Sequence, residues 1–223
     1  MMSSLIYRLT DKQLCVAADT LMSTTHREPL KYATKILLLP HVRGVICGTG
    51  AGDLLLNWYL SLQFEIVVPD LPWLGEHAPA RLAELAVKVR LPPDMKTTIY
   101  HFGWDHRVGR MVGQTFAAAE GFALREAHRE CLVVKPGYPS AIEGAEDLIF
   151  RDGVAGFAEI MLRQRLADEK LPKDERAGIG GEVHFVEVTT DHIAQFLAYR
   201  FADYHQLYEL MLRNARRFTQ PPT

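Results

Sequence analysis

Three features in the first quarter of the chain combine residue types that could act in one reaction. Asp19 ends an apolar stretch that begins at Val16, Lys35 opens the next apolar stretch, and a glycine-rich turn covers residues 48–52. A lysine ammonium favours the deprotonated form of a neighbouring nucleophile, and backbone N–H groups of a turn can stabilise an oxyanion. Taken singly, the same residues also fit a turn aspartate, a lysine at a strand edge and a tight strand-to-helix turn.

The spacing of these features resembles the start of a proteasome β subunit or of the HslV peptidase, both in the N-terminal-nucleophile (Ntn) hydrolase superfamily. In that family an aspartate at a strand end is followed sixteen residues later by a lysine, and then by a glycine-rich turn. Asp19 and Lys35 are separated by sixteen positions. Gly180 and Gly181, which precede a valine-rich strand, resemble a later motif of the family. The resemblance covers the first 60 residues well and most of the remainder by the order of its elements.

The resemblance implies a hydrolase in which the first residue of the mature chain is both nucleophile and base. Counting back sixteen positions from Asp19 gives Ser3, where the family normally has threonine. Ser3 would then be the nucleophile, Lys35 its electrostatic activator and Asp19 the residue that orients Lys35. Thr49 and Gly50 would form the oxyanion turn. The implied substrate is a peptide or another amide, and the chemistry requires no cofactor and no metal.

The start of the translated chain decides whether Ser3 can act. If translation starts at Met2, methionine removal exposes the α-amino group of Ser3; if it starts at Met1, the following Met2 disfavours removal. Two supporting positions of the family have only poor counterparts here, Ser140 and Asp174. The sequence therefore predicts a candidate amidohydrolase or peptidase. The alternative is a catalytically inactive proteasome-like subunit that acts as an assembly or binding scaffold.

The elements that must position these residues follow from hydrophobic periodicity and turn signals. Two hairpins open the chain, two helices follow, and further strands enclose a long amphipathic helix before a final helix. The first helical segment, Leu54–Leu60, is apolar on nearly all sides, which predicts burial between layers. A proline-rich turn is predicted before the second. The predicted strands are 5–9, 13–18, 35–39, 44–47, 97–104, 110–118, 130–135, 182–189 and 193–201, and the other predicted helices are 80–89, 153–166 and 202–217.

This order predicts an α+β fold, because two blocks of antiparallel strands are separated by a pair of helices. We expect a four-layer αββα sandwich of two mainly antiparallel sheets, as in the Ntn hydrolases. No repeat or linker interrupts the pattern, so residues 1–223 are predicted to form a single Ntn-hydrolase-like domain.

Composition limits the partners and the compartment. The 223 residues carry a net charge of −2, which does not favour nucleic acid or an anionic membrane surface. No apolar run is long enough to predict a membrane span. Three cysteines without CxxC spacing, and no recognisable signal peptide, favour the reducing cytoplasm. The family resemblance implies a homo-oligomer, with a ring as its form.

Four aromatic residues have two interpretations, as interface anchors or as core: Trp58, Tyr59, Trp73 and Trp104.

Other enzyme classes fit the sequence less well. A dinucleotide-binding fingerprint starting at Gly48 would need a glycine where Asp53 stands, and hairpins rather than a βαβ unit precede it. The nine histidines form no HExxH motif, which argues against a metallohydrolase. A GxSxG nucleophile elbow is absent.

Overall fold

The computed structural model describes residues 4–24 and 26–219, and side chains as far as residue 215. Ser3, the predicted nucleophile, therefore lies outside the described residues. The described chain forms two five-stranded antiparallel sheets and a small two-stranded sheet, with helices on the outer faces of the large sheets. This is the α+β, four-layer αββα sandwich that the sequence predicts.

The strands are β1 (Leu5–Leu9), β2 (Gln13–Asp19), β3 (Leu21–Ser23), β4 (Pro29–Tyr32), β5 (Ile36–Leu39), β6 (Gly44–Thr49), β7 (Thr98–Asp105), β8 (Arg110–Ala117), β9 (Leu124–Glu126), β10 (Leu132–Lys135), β11 (Glu182–Thr189) and β12 (Ile193–Arg200). The α-helices are α1 (Gly52–Phe64), α2 (Leu71–Lys88), α3 (Pro139–Ile142), α4 (Ala145–Asp152), α5 (Val154–Asp168) and α6 (Tyr204–Thr219). The first sheet has the order β10-β1-β2-β11-β12, the second has the order β5-β6-β7-β8-β9, and β3 pairs with β4.

Alternation along β1 shows how the layers form. Leu5, Tyr7 and Leu9 are buried between the two large sheets, whereas Ile6 packs on the other face among residues of α5. Side chains of a strand point alternately to opposite faces, so a strand covered on both faces is mostly apolar, and in β1 only Arg8 is exposed. The outer face of the second sheet is covered in the same way by α1 and α2.

Helix α2 begins at Leu71, well before the predicted start at Ala80, and replaces the predicted proline-rich turn. Asp70 caps it, because its Oδ1 accepts a hydrogen bond from the Trp73 N–H at 2.8 Å. Pro72 lies in the first turn, where a helix needs no N–H donor. Pro79 lies inside the helix, which the usual role of proline as a helix breaker did not predict.

Helix α1 is not buried on all sides, so that prediction is wrong. Leu54 and Trp58 pack on the second sheet, but Leu56, Leu60 and Phe64 are 45%, 42% and 83% exposed. The helix therefore lies in an outer layer and presents an apolar stripe to its surroundings. Strands β3, β4 and β9 and helices α3 and α4 also form in segments for which the sequence predicted no element.

Candidate active site

Lys35 and Asp19 form a buried ion pair between the end of β2 and the start of β5. Lys35 Nζ lies 2.7 Å from Asp19 Oδ1, and the two side chains are 7% and 0% exposed. The same ammonium donates to the carbonyl oxygen of Leu21 at 2.7 Å. An ammonium group has three N–H donors. Among the described residues, two of the donors of Lys35 have acceptors, so the third is available to another group.

Burial sets the acid–base properties of this pair. It lowers the pKa of Lys35 by penalising the charged ammonium, and the attraction of Asp19 opposes this shift. Burial also raises the pKa of Asp19. The positive charge of Lys35 and the hydrogen bonds from Lys35, Gly180 and Ser4 act in the opposite direction and lower it.

Asp19 also anchors the chain next to the predicted nucleophile. Its Oδ1 accepts from the Ser4 N–H at 3.0 Å, and its Oδ2 accepts from the Gly180 N–H at 3.2 Å. Ser4 is joined covalently to Ser3, so the carboxylate that holds Lys35 also holds the peptide nitrogen that follows Ser3. Ser4 is itself completely buried, and its hydroxyl donates to Gln164 Oε1 at 2.6 Å.

The glycine-rich turn depends on Gly50, which has a φ of +94°. A Cβ at this position would lie 2.4 Å from the carbonyl oxygen of Lys96 and 2.7 Å from Thr97 Cα. The turn is fixed by the N–H of Ala51, which donates to Thr97 Oγ1 at 3.1 Å. Glycine is therefore required here for both backbone conformation and space.

A cavity of about 150 Å³ brings together three of the predicted site residues, Lys35, Thr49 and Gly50. Its remaining wall comes from the β3–β4 hairpin and the chain after it, from β5 and β6, and from the first turns of α1. The cavity thus has a buried cation on one side and the glycine-rich turn on another. A positive charge near a nucleophile and N–H donors near an oxyanion can both assist attack on an amide.

Two polar residues of α5 lie in the layer behind this site, and the sequence analysis missed both. Gln164 accepts from Ser4 and donates to the carbonyl oxygen of Pro136 at 2.8 Å. Asp168 is 2% exposed and accepts from Tyr138 Oη at 2.6 Å and from the Ala177 N–H at 2.6 Å. A signal for them was present, because both follow Phe157 and Met161 on the buried face of α5 at helical spacing.

The sequence analysis matched Ser140 and Asp174 only poorly to two supporting residues of the family. Both side chains are exposed. Asp168 instead takes up a buried position six residues before Asp174.

The four aromatic residues that the sequence left open as interface anchors or core residues are buried to different degrees. Trp58 is 1% exposed, and its Nε1 donates to His101 Nε2 at 2.8 Å, which supports the core interpretation. Tyr59, Trp73 and Trp104 are partly buried against the core.

The described residues were also searched for metal and membrane features. Within 4–24 and 26–219, no group of three or more His, Cys, Asp or Glu side chains is placed to hold a metal ion. None of the helices described combines the length and apolar content that crossing a bilayer requires.

Comparison with known proteins supports the architecture. No family model matches the chain, and no curated protein matches it. A solved structure, Anbu (ancestral beta-subunit) from Yersinia bercovieri, superposes with a TM-score of 0.59 at 12% sequence identity. The match covers 99% of this chain and 98% of that chain. Identity this low shows the fold alone, and the fold of this chain is proteasome-like.

Proposed function

We propose that this chain is a peptide or amide hydrolase that uses Ser3 as an N-terminal nucleophile, after residues 1 and 2 have been removed. The observation that carries the proposal is the buried Lys35–Asp19 pair. Its aspartate is hydrogen-bonded to the residue after Ser3, and its lysine lines the cavity together with Thr49 and Gly50. A buried charged pair is costly to maintain, so its place beside a cavity supports a functional role. The proposal takes residues 1–223 as one Ntn-hydrolase-like domain.

Each group has a defined task in the proposed reaction. Ser3 Oγ attacks the carbonyl carbon of the amide, while its proton passes to the α-amino nitrogen of the same residue. The third N–H of Lys35 and its positive charge favour the ionised hydroxyl, and Asp19 fixes the position of Lys35. The N–H groups of the turn at Thr49 and Gly50 stabilise the oxyanion.

The second half of the reaction returns the enzyme to its starting state. The carbon–nitrogen bond breaks, the departing amine takes the proton from the α-ammonium group, and an ester remains on Ser3. Water attacks this ester, with the α-amino nitrogen again as base. The bond between the acyl carbon and Ser3 Oγ then breaks, Oγ takes the proton from the α-ammonium group, and the carboxylic acid leaves. The α-amino nitrogen must be free for both steps, since a peptide nitrogen cannot accept the proton.

A test needs chains that differ only at the N-terminus. A removable domain fused before Ser3 gives, after cleavage, a chain that starts at Ser3; the same fusion placed before Met2 gives a matched control. We expect the Ser3 chain to hydrolyse fluorogenic peptide amides and the Met2 chain and Ser3→Ala not to do so. Equal turnover by all three chains would reject Ser3 as the nucleophile.

The apolar stripe of α1 supports assembly of this chain with further copies. Leu56, Leu60 and Phe64 recur at intervals of four, so they lie on one side of the helix, and Val67 beyond its end is 90% exposed. Large apolar side chains exposed together mark interaction surfaces. The matched solved protein is named a subunit. We therefore propose a homo-oligomer, with a ring as the form that the proteasome resemblance implies.

Assembly without catalysis is the second candidate function, a proteasome-like scaffold subunit. The same stripe favours it. Light scattering after size-exclusion chromatography should show an oligomer that Phe64→Glu dissociates, with Val87→Glu as an exposed control on α2. An oligomer with no activity from the Ser3 chain would favour the scaffold, whereas a wild-type monomer would reject assembly. The proposed compartment is the cytoplasm, in keeping with the free thiols of Cys15, Cys47 and Cys131.

A further inference from the structure

A second cavity lies on the outer face of the first sheet. It is lined by Gln13 at the start of β2, whereas Asp19 of the candidate site ends that strand. We propose that this outer cavity holds the basic segment of a second copy of this chain, residues 213–223. The contact takes no part in the proposed hydrolysis. It rests on the proposed self-association and names two surfaces that meet in it.

Strands of the first sheet form the floor of the outer cavity, and helices α4 and α5 form a wall. In the floor, Arg8, Cys15 and Glu187 lie side by side across β1, β2 and β11. The volume is about 540 Å³, and none of the described residues that line it also lines the cavity beside Lys35. Binding cavities in proteins generally have about 300–1,000 Å³. The space therefore suffices for more than one side chain of a partner.

Negative charge dominates the lining of the outer cavity. Four of the lining residues carry carboxylates, and the one cation among them is Arg8. The carboxylates belong to Glu130, Glu146, Asp147 and Glu187. An excess of one sign attracts a partner of the opposite sign and disfavours one of the same sign. The cavity therefore suits a basic partner.

Two of the carboxylates are available to such a partner. Glu146 and Glu187 already accept hydrogen bonds from the protein. Across the described residues, no side-chain hydrogen bond or salt bridge involves Glu130 or Asp147, and the charge of the exposed Arg151 is the one electrostatic influence paired with Asp147. Arginine matches free carboxylates well, because its planar group donates two parallel hydrogen bonds to one carboxylate.

Aromatic side chains line both the depth and the rim of the outer cavity. Phe157 and Phe185 are buried at its base, whereas Phe196 and Phe150 are 42% and 95% exposed. Large apolar groups left in water beside a cavity mark an interaction surface. Aromatic faces also attract cations and pack against other rings. The partner should therefore carry an aromatic group close to its positive charges.

The basic segment has this composition. Its sequence is RNARRFTQPPT, in which three arginines and one phenylalanine occur without an acidic residue. No other window of eleven residues in the sequence has three Lys or Arg residues and no Asp or Glu. Arg216 and Arg217 directly precede Phe218, so positive charge and an aromatic ring are adjacent. Among the described side chains, Arg213 pairs only with the exposed Glu209, at 3.3 Å.

The path of the chain favours a second copy as the source of the basic segment. Strand β12 begins at the cavity end of the sheet, where Ile193 pairs with Val188, and Arg200 pairs with Glu182 at the other end. At about 3.4 Å per residue, the eight residues of β11 separate these ends by roughly 24 Å. Helix α6 begins at the far end, where Tyr204 stacks on Tyr32. The basic segment therefore follows a helix that starts away from the outer cavity of its own chain.

Photo-crosslinking of the full chain tests the contact. Phe218→p-benzoylphenylalanine keeps an aromatic group at this position and forms a covalent bond to its neighbours on irradiation. We expect products at multiples of the chain mass on denaturing gels, with mass spectrometry locating the bond in residues 8–15 or 145–157. The matched control is Phe64→p-benzoylphenylalanine on α1, also a strongly exposed phenylalanine. It should give no bond in these two segments.

An exchange of charges tests the chemistry of the contact. In the photoreactive chain, Glu130→Arg with Asp147→Arg should lower the yield of cross-linked product by about tenfold or more, because arginine then faces arginine. Adding Arg216→Glu and Arg217→Glu to the same chain should restore the yield. Glu76→Arg with Asp94→Arg, at two exposed acidic residues outside the outer cavity, changes the net charge equally and should leave the yield unchanged.

Each contrary result removes a defined part of the inference. Bonds in these segments formed only within single chains would overturn the second copy as the source. Bonds elsewhere, or a yield that the charge exchange does not alter, would overturn the outer cavity as the binding site. An oligomer in light scattering without these bonds would reject this inference alone, whereas a wild-type monomer would reject the proposed self-association with it.

Discussion

The ammonium of Lys35 and the main-chain nitrogen of Ser4 bind the same carboxylate oxygen, Asp19 Oδ1, at 2.7 and 3.0 Å. The residue predicted to activate the nucleophile and the residue next to the nucleophile therefore share one anchor. The second carboxylate oxygen binds the N–H of Gly180, which precedes β11. Three separate parts of the chain converge on Asp19, so a change at this residue should affect both folding and the site.

Removal of Lys35 should abolish activity and also destabilise the fold. Lys35→Met leaves Asp19 as a buried carboxylate without its cation, and breaking a buried pair from one side costs about 3–5 kcal/mol. We expect this decrease in the free energy of unfolding from urea titration. In the chain that starts at Ser3, kcat/KM should fall by at least about 10²-fold.

The double variant Asp19→Asn, Lys35→Met separates the two effects. It removes both charges, so a substantial part of the lost stability should return while turnover stays absent. A folded Lys35→Met variant with wild-type turnover would refute the role of Lys35.

Gly50→Ala should be more harmful than the same change at Gly109. Both glycines have positive φ, +94° and +63°, but a Cβ at Gly50 would contact the backbone at 2.4 Å, whereas nothing lies within 4 Å of one at Gly109. We expect a loss of more than about 2 kcal/mol and impaired turnover at Gly50, from strain and displacement of the turn. Gly109→Ala should cost about 1 kcal/mol with turnover retained. Equal losses in thermal unfolding would show that the turn is less constrained than its geometry indicates.

His101 should make the protein less stable in mild acid. Burial lowers the pKa of its imidazole from 6.5 to about 3. Between these two values the unfolded chain binds a proton that the folded chain does not, so stability decreases as pH falls below about 6.5. The contribution should be about 1 kcal/mol between pH 7 and pH 5.5.

Urea titrations of wild type and His101→Gln at these two pH values isolate this contribution from that of the carboxyl groups. The variant should show a smaller loss on acidification. An identical loss in both proteins would mean that His101 does not titrate as its burial requires.

Arg165 should stabilise the attachment of α6 through its planar shape as well as its charge. Its Nη1 and Nη2 each donate to one oxygen of Asp203 at 2.7 Å, and its guanidinium lies 4.9 Å from the centre of the Phe201 ring. Arg165→Lys keeps the charge but loses the paired geometry, at a cost of about 1–2 kcal/mol. The control is Arg163→Lys, whose pair with Glu159 is more exposed and should cost less than about 0.5 kcal/mol. Similar shifts in thermal unfolding for both variants would contradict this account.

The layer architecture could be predicted from the sequence because alternation and turn residues are local signals. β1 and β2, which position Asp19, follow directly from them. Helix α2 could not be placed in full, because Pro72 and Pro79 normally mark a break and only the cap at Asp70 explains the early start. The exposure of α1 could not be foreseen, since an apolar face looks the same whether a sheet or a partner chain covers it.

The candidate site could be predicted only where the residues occur at a recognisable spacing. Asp19, Lys35 and the turn at Gly50 are of this kind, and three of the predicted site residues, Lys35, Thr49 and Gly50, line one cavity. Gln164 and Asp168 approach the site from more than a hundred residues away, and only packing of α5 on the first sheet brings them there. In the sequence, each of them is only a polar residue on the apolar face of a predicted helix. Such a residue is usually interpreted as part of the packing rather than as part of a site.

Active-site mapping tests the central claim most directly. Protein purified from its native cell without an N-terminal tag is treated with a β-lactone electrophile, and the mass of the intact chain and of its N-terminal peptide is measured. The account predicts a chain that starts at Ser3 and carries one acyl group on that residue, with no acyl group on Lys35→Met. A chain that retains Met1 and Met2, or an acyl group on any other residue, would contradict it.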